Sequence, residues 1–270
     1  MRPPRRQRGV ALLLALVLVA LVTIIAYDIW FSGSLEQRRA FAALSLERGF
    51  QYGIGTEAAA AKLLLLDTQN GATQDFPAEQ WAQPFPPTAF GSALVEGRID
   101  DMEGRFNLNS LIDKATGTVN QDRLDQFRRL LEIVGLEAKW ADLLVDWLDS
   151  DNQPTFPDGG EDNLYTMQTP AYLPPNTAIT STSELMALPG FGIERYRRLE
   201  PYVAALPPDA KLNVCFAPGP VLDSLSTGQS QYGDPAFLAK QREGKCFPTV
   251  ALVTNTIPPP DVPRVTDYIA

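Results

Sequence analysis

Arg8-Gly9-Val10-Ala11-Leu12-Leu13-Leu14 opens an apolar run that continues unbroken to Tyr27, and the reading of this stretch decides the rest. Arg2, Arg5, Arg6 and Arg8 crowd its near side, and Asp28 ends it. The eighteen uncharged residues between make about 27 Å of helix at 1.5 Å per residue, just enough for a hydrocarbon core. The basic flank keeps the short N-terminus cytoplasmic and sends the remaining ~240 residues to the other side.

A cleaved secretory signal needs a shorter apolar region ending in a small-x-small site. Thr23-Ile24-Ile25-Ala26-Tyr27-Asp28 has none. Two readings stand. A plain signal anchor fits the hydropathy fully. The junction of basic leader, single glycine and apolar helix resembles a type IV prepilin signal. That resemblance implies cleavage after Gly9 by prepilin peptidase and methylation of the new N-terminus at Val10.

Setting aside the four leader arginines leaves 19 basic against 32 acidic side chains, a net of −13. Such a body repels nucleic acid and anionic lipid. The chain has no histidine, which removes Ser-His-Asp and Cys-His catalysis and the commonest zinc ligand. No spacing identifies a carboxylate acid with its partner, so an enzyme is not expected. Cys215 and Cys246 suit one disulfide in an oxidising compartment; two unrelated thiols are the alternative.

From Asp28 to about Leu66 the apolar positions keep helical spacing, interrupted by Gly49, Gly53 and Gly55. Thr68 to Gly91 reads as loop, with Pro77, Pro84, Pro86 and Pro87. Ala93 to Met102 alternates and, with a turn at Glu103-Gly104, predicts an antiparallel strand pair with Arg105 to Asn109. Asn120 caps a helix carrying Leu124, Phe127, Leu131 and Val134, with Gly135 as its stop. A second helix runs from about Glu137 to Leu148 with Trp140 and Trp147 on one face. A further helix opens at Thr182, and another runs from Glu194 to about Ala205. Beyond Thr249 the tail is Pro-rich with one short apolar run, Val250 to Val253.

Asp142, Asp146 and Asp149 stand at i, i+4 and i+7 on the second helix and crowd its C-terminal end, where the dipole already disfavours negative charge. Asp151, Asp158, Glu161 and Asp162 follow closely. Oxygen ligands without His or Cys select a hard cation, and calcium is the usual one outside the cell. The spacing is not that of an EF-hand: counting from Asp149, Pro154 and Gly160 stand where Gly and Glu are required. A merely solvated acidic loop is the alternative. The second feature, Leu185 to Gly192 with the helix after it, looks like a helix-hairpin-helix, whose turn meets phosphate in DNA-binding proteins. A membrane-anchored, exported DNA-binding protein is therefore the alternative function. The acidic body argues against nucleic acid as a partner.

Taken together, these residues resemble the general secretion pathway protein K family, the large minor pseudopilin of type II secretion. The match runs from Arg8-Gly9-Val10-Ala11-Leu12 through Gly104-Arg105-Phe106-Asn107-Leu108-Asn109 and Gln126-Phe127-Arg128-Arg129-Leu130-Leu131. It continues with Asp146-Trp147-Leu148-Asp149-Ser150-Asp151, Gly160-Glu161-Asp162-Asn163-x-Tyr165, Ser183-Glu184-Leu185, Leu206-Pro207-x-Asp209 and Leu212-Asn213-Val214.

The resemblance implies an α+β, type IV pilin-like fold: a long N-terminal helix packed on a small antiparallel sheet, with a large inserted α-helical domain. Its parts would be a leader at 1–9, a transmembrane portion at 10–27, helix and first strands at 28–108, the inserted domain at 109–245, and a segment returning to the sheet at 246–270. It further implies calcium held by Asp149, Asp151, Glu161 and Asp162, with Asp146, Asp158 and Asn163 as additional candidates. The implied partners are the minor pseudopilins I and J, prepilin peptidase and the inner membrane of a Gram-negative cell, with the body in the periplasm. The implied role is to cap or initiate the pseudopilus that helps export folded proteins.

Pilin-like proteins mostly carry Glu at the fifth mature position; here that position is Leu14, a substitution the resemblance associates with the tip. Cys215 to Lys245, including Ser226-Thr227-Gly228-Gln229-Ser230, departs from the family pattern, as does the absence of a clear closing strand.

Overall fold

A computed structural model of the chain describes residues 8–71, 74–91, 93–227, 231–255, 257–259 and 262–269. It divides into two compact units, Met1–Asp67 and Thr68–Ala270. The leader residues 1–7 lie outside the described part.

The first unit is one helix, α1 (Arg8–Gln69), which continues unbroken through Gly49, Gly53 and Gly55. Its start, from Val10 to Tyr27, presents apolar side chains on every side, all exposed. A helix apolar all round belongs in lipid or in a core, and by length and composition this one can cross a membrane. The Thr23 hydroxyl bonds back to the Val19 and Ala20 carbonyls, which satisfies its one polar group inside the helix, as a bilayer requires.

The second unit begins with a hairpin. β1 (Phe85–Phe90) pairs antiparallel with β2 (Ala93–Gly97). β1 falls where the prolines suggested only loop. The prolines are tolerated because the ladder is irregular between Phe85 and Thr88 and the strand lies at an edge. The expected partner of β2 is elsewhere. β3 (Phe106–Asn107) pairs in parallel with β4 (Val203–Ala204), so the antiparallel pairing expected between 93–102 and 105–109 is corrected. A 3-10 turn at Met102–Gly104 leads the chain away instead of folding it back.

Helices fill the rest. α2 (Gln121–Ile133) starts at Asn120, whose side chain accepts from the Arg123 N–H, and its end passes into Gly135 at φ +74°, the left-handed conformation that glycine adopts without penalty. α3 (Lys139–Leu148) follows, then the short α4 (Asp162–Thr166). Thr182–Ala187 is a 3-10 turn opened by a Ser181/Glu184 capping box, not a full helix. α5 (Gly192–Leu199) completes the hairpin. α6 (Gly219–Ser224), α7 (Pro235–Gln241), α8 (Val250–Thr254) and α9 (Val262–Thr266) close the chain.

The core sits among α2, α3, α5 and α6. Phe106 stacks on Phe127 at 5.1 Å and Trp140 meets Phe191 edge-on at the same distance, with Leu108, Leu130, Leu144, Leu185 and Leu188 fully buried around them. Burying a Leu or Phe side chain contributes roughly 1.5–3 kcal/mol. The two asparagines of Phe106-Asn107-Leu108-Asn109 join distant strands of chain. Asn107 accepts from the Asn109 and Leu206 N–H groups and donates to the Pro207 carbonyl, while Asn109 accepts from Ile179 N–H and donates to the Ile179 and Leu206 carbonyls. They satisfy backbone groups that would otherwise be buried without partners.

The C-terminal segment does not return to the β1–β2 hairpin as a strand. Val250–Thr254 and Val262–Thr266 are helical, Val253 and Ile257 enter the core, and the return is made at Leu212, which donates to the Tyr268 carbonyl at 2.9 Å and bridges Ile269 in parallel. Val262 and Val265, three apart within α9, suit a helix better than a strand. The Arg123 guanidinium lies over the Tyr268 ring, fixing that end. Cys215 and Cys246 form a disulfide across 31 positions, which in the chain-entropy treatment stabilises by about 3–4 kcal/mol. Of the departing segment 215–245, residues 228–230 lie outside the described part.

Candidate metal centre

The three aspartates of α3 share a face, and the structure gives them three different fates. All are buried, with 2 %, 0 % and 6 % of Asp142, Asp146 and Asp149 exposed. Asp142 receives the Arg128 guanidinium from α2 at 2.6 Å, and Arg128 also reaches Asp125 at 3.1 Å. Its charge is answered. Asp146 accepts the Thr155 N–H on both carboxylate oxygens, at 2.9 and 3.1 Å, and draws a further N–H from Gly160. Burial still pushes its carboxyl up, against the pull of these donors. It clamps the turn.

That clamp explains Gly159. A Cβ there would run into the Asp146 carboxylate and the Thr155 backbone, so only glycine lets the turn close on the helix end.

Asp149 is different. It caps the end of α3, and its Oδ1 is buried with no protein donor among the described residues; the same holds for both carboxylate oxygens of Glu161. Asp149, Asp151 and Glu161 each bring an oxygen within 4.8 Å of the others. Three carboxylates so close, two of them buried, repel one another. Burial, then Asp151 and Asp146, push Asp149 up to about 6. Burial, then Asp146, Asp149, Asp151 and Asp162, push Glu161 up to about 7. Two buried donors stand nearby without partners among the described residues: the Trp147 Nε1–H and the Tyr165 hydroxyl. Their rings lie 5.3 Å apart. Burial first, then Tyr172, then the charges of Asp146 and Glu161 hold the Tyr165 hydroxyl well above its ordinary range.

Of the residues the sequence offered, the structure brings together Asp149, Asp151 and Glu161. Asp162 does not join them: it is the first residue of α4, where its charge faces the positive end of a helix. Asn163 is exposed in the same turn, and Asp158 is exposed and apart. Asp146 is the clamp described above. The sequence did not reveal that Arg128 answers Asp142, because that pairing comes from a neighbouring helix. The signal available was Arg128 on α2, one turn past Leu124.

The hairpin before α5 is closed by its own residues. Arg195 donates to both Glu137 carboxylate oxygens at 3.2 Å and to the Gly190 and Phe191 carbonyls, and its guanidinium lies 5.1 Å over the Trp140 ring. Hydrogen bonds from Arg195, then from the Trp140 Nε1–H, hold Glu137 down at about 2. The turn's carbonyls thus face an arginine of the same chain, which ties the hairpin to Glu137 and the Trp140 ring.

Residues 104–208, which contain both features, match the family described as type II secretion system (T2SS), protein K. The type II secretion system protein K of Pseudomonas aeruginosa is 36 % identical over 250 residues, covering 89 % of this chain and 74 % of its own length. That of Pectobacterium carotovorum subsp. carotovorum is 30 % identical, covering 94 % and 81 %. Among solved structures, the GspK-GspI-GspJ complex from the enterotoxigenic Escherichia coli type 2 secretion system contains a chain that superposes with a TM-score of 0.74. It covers 86 % of this chain and 84 % of that one at 19 % identity, a likeness of fold.

Proposed function

The chain belongs to the type II secretion system protein K family, and from that premise we propose that it acts at the tip of the periplasmic pseudopilus. There it would assemble with minor pseudopilins I and J and cap or initiate the filament. The observation that carries this reading is the long, all-apolar helix start followed by a body that shares the fold of a chain solved within a GspK-GspI-GspJ complex. Leu14, on the exposed apolar surface of α1, supports the tip position. A carboxylate there would be costly in lipid, and a subunit with no neighbour above it has no N-terminal ammonium to pair with. On this reading the protein is a structural part without turnover. It is anchored once in the inner membrane with its body in the periplasm, after prepilin peptidase removes the leader at Gly9 and methylates Val10. The hairpin's engagement of Arg195 and the acidic body weigh against DNA.

The test is co-expression of the full chain with prepilin peptidase and its cognate I and J subunits. The expected outcome is co-purification of the three with an N-terminal mass beginning at methylated Val10. An intact leader and a chain that purifies alone would contradict it, and a DNA gel shift at modest salt would favour the other reading.

We further propose that Asp149, Asp151 and Glu161 hold a calcium ion. The residues fit it: the donor set is all oxygen, which selects a hard cation, and three buried acceptor oxygens have no protein donor among the described residues. Bound there, calcium would supply the positive charge that lets the buried carboxylates ionise together. It would fix the 149–161 turn against the end of α3.

A further inference from the structure

The far end of the apolar run carries an aromatic group. Tyr27, Trp30 and Phe31 stand at i, i+3 and i+4 and so share one face of α1. Their rings meet: the Tyr27 centroid lies 6.3 Å from that of Trp30 and 6.1 Å from that of Phe31. All three stay exposed, at 64 %, 68 % and 50 %, and a contiguous exposed aromatic face marks a place where something else binds.

The position of the face along the helix decides what covers it. From Val10 to Tyr27 the helix is about 27 Å long, and from Val10 to Phe31 about 33 Å. A hydrocarbon core of about 30 Å ends between the two. Trp and Tyr favour that boundary, where the ring meets hydrocarbon and the N–H or O–H meets the headgroups. The polar neighbours fit the same boundary. Asp28, turned about 100° from Tyr27 round the helix, is exposed and has no hydrogen bond or ion pair among the described residues, so its charge looks to water. Ser34, the next turn on the aromatic side, donates its hydroxyl to the Phe31 carbonyl and leaves that side without a free donor.

We propose that Tyr27, Trp30 and Phe31 form an interfacial anchor, seated in the headgroup layer of the periplasmic leaflet, that fixes the depth and rotation of α1 in the bilayer. Interfacial aromatic side chains set both quantities in a spanning helix. The occupant of the face is lipid, because on this side the aromatic rings continue the apolar surface of the span with no charge between them. This rests on the reading of α1 as a membrane anchor and adds the contact that holds it at one depth.

The experiment uses the full chain in vesicles of phosphatidylethanolamine and phosphatidylglycerol. Part of the lipid is replaced by phosphatidylcholine brominated either near the glycerol end or near the tip of its acyl chains. The chain has four tryptophans, so the emission of Trp30 is read as the difference between the parent and Trp30→Phe. Trp30 is expected to be quenched roughly twofold more strongly by bromine near the glycerol end. Equal quenching, or stronger quenching from the chain tips, would overturn the interfacial position. No quenching of Trp30 by either lipid, in a chain that floats with the vesicles, would place the face in water or against another helix; it would overturn the proposal and leave the anchor reading standing. A chain that does not float with the vesicles would overturn that reading and the proposal with it. Trp30→Tyr supplies an independent subtraction should Trp30→Phe fail to insert.

Discussion

The turn after α3 and the turn before α5 are both built on glycines, and both lie beside charged side chains and a short helix. They differ in whether the charge is answered from within the chain. Before α5, Arg195 is engaged by Glu137, by two turn carbonyls and by the Trp140 ring. After α3, Asp149 and Glu161 leave three buried oxygens without protein donors among the described residues. A charge answered by its own chain makes a joint. Buried acceptors left open beside other carboxylates make a place for a cation.

Substitutions can break that contrast at either side. The largest effect is expected at Asp146, which holds the turn against the end of α3. Asp146→Ala strands the half-buried Thr155 N–H and the buried Gly160 N–H and should cost about 2–4 kcal/mol, lowering the melting temperature by about 5–15 °C in a domain of this size and abolishing calcium uptake. Asp142→Ala removes one partner of a partly buried ion pair, leaving Arg128 with Asp125. About 1–3 kcal/mol is expected in chemical denaturation, with calcium affinity kept, because that carboxylate is already answered.

A smaller, diagnostic effect is the pH dependence of the chelator-treated chain. Asp149 and Glu161 are pushed up to about 6 and about 7, so the folded state holds their protons more tightly than the unfolded chain does. Stability from these groups is greatest below about pH 4 and is lost as the pH rises through 6 and 7. The metal-free melting temperature should fall over that window, and saturating calcium should flatten the fall. A fall of the same size in calcium would assign it to other groups. The smallest effect is expected at the hairpin: Arg195→Ala should leave calcium affinity unchanged, and the parent should shift no DNA. Loss of calcium affinity in that variant would erase the distinction between the two turns.

Much of the helical domain was legible because its signals are local. Asn120 and Gly135 bracket α2, and the spacing of Asp142, Asp146 and Asp149 placed them on one face. What that spacing could not say is which of the three is answered. The answers come from Arg128 on another helix and from Thr155 in the turn itself. The parallel β3–β4 pair was not legible either, since Phe106 meets Val203 across nearly the whole domain and two-residue strands carry no period. Asp162 was assigned to the site with its neighbours in sequence, but it opens α4 and stands outside the group formed by Asp149, Asp151 and Glu161.

The most direct test of the cation site is the melting temperature of the full chain in detergent, measured with calcium at several hundred times its dissociation constant and again with chelator. Binding at that excess contributes about 3–4 kcal/mol, so the parent is expected to melt about 5–15 °C higher with calcium, and the Asp149→Asn/Glu161→Gln double variant is expected not to respond. A parent that melts at the same temperature in both conditions would contradict the assignment.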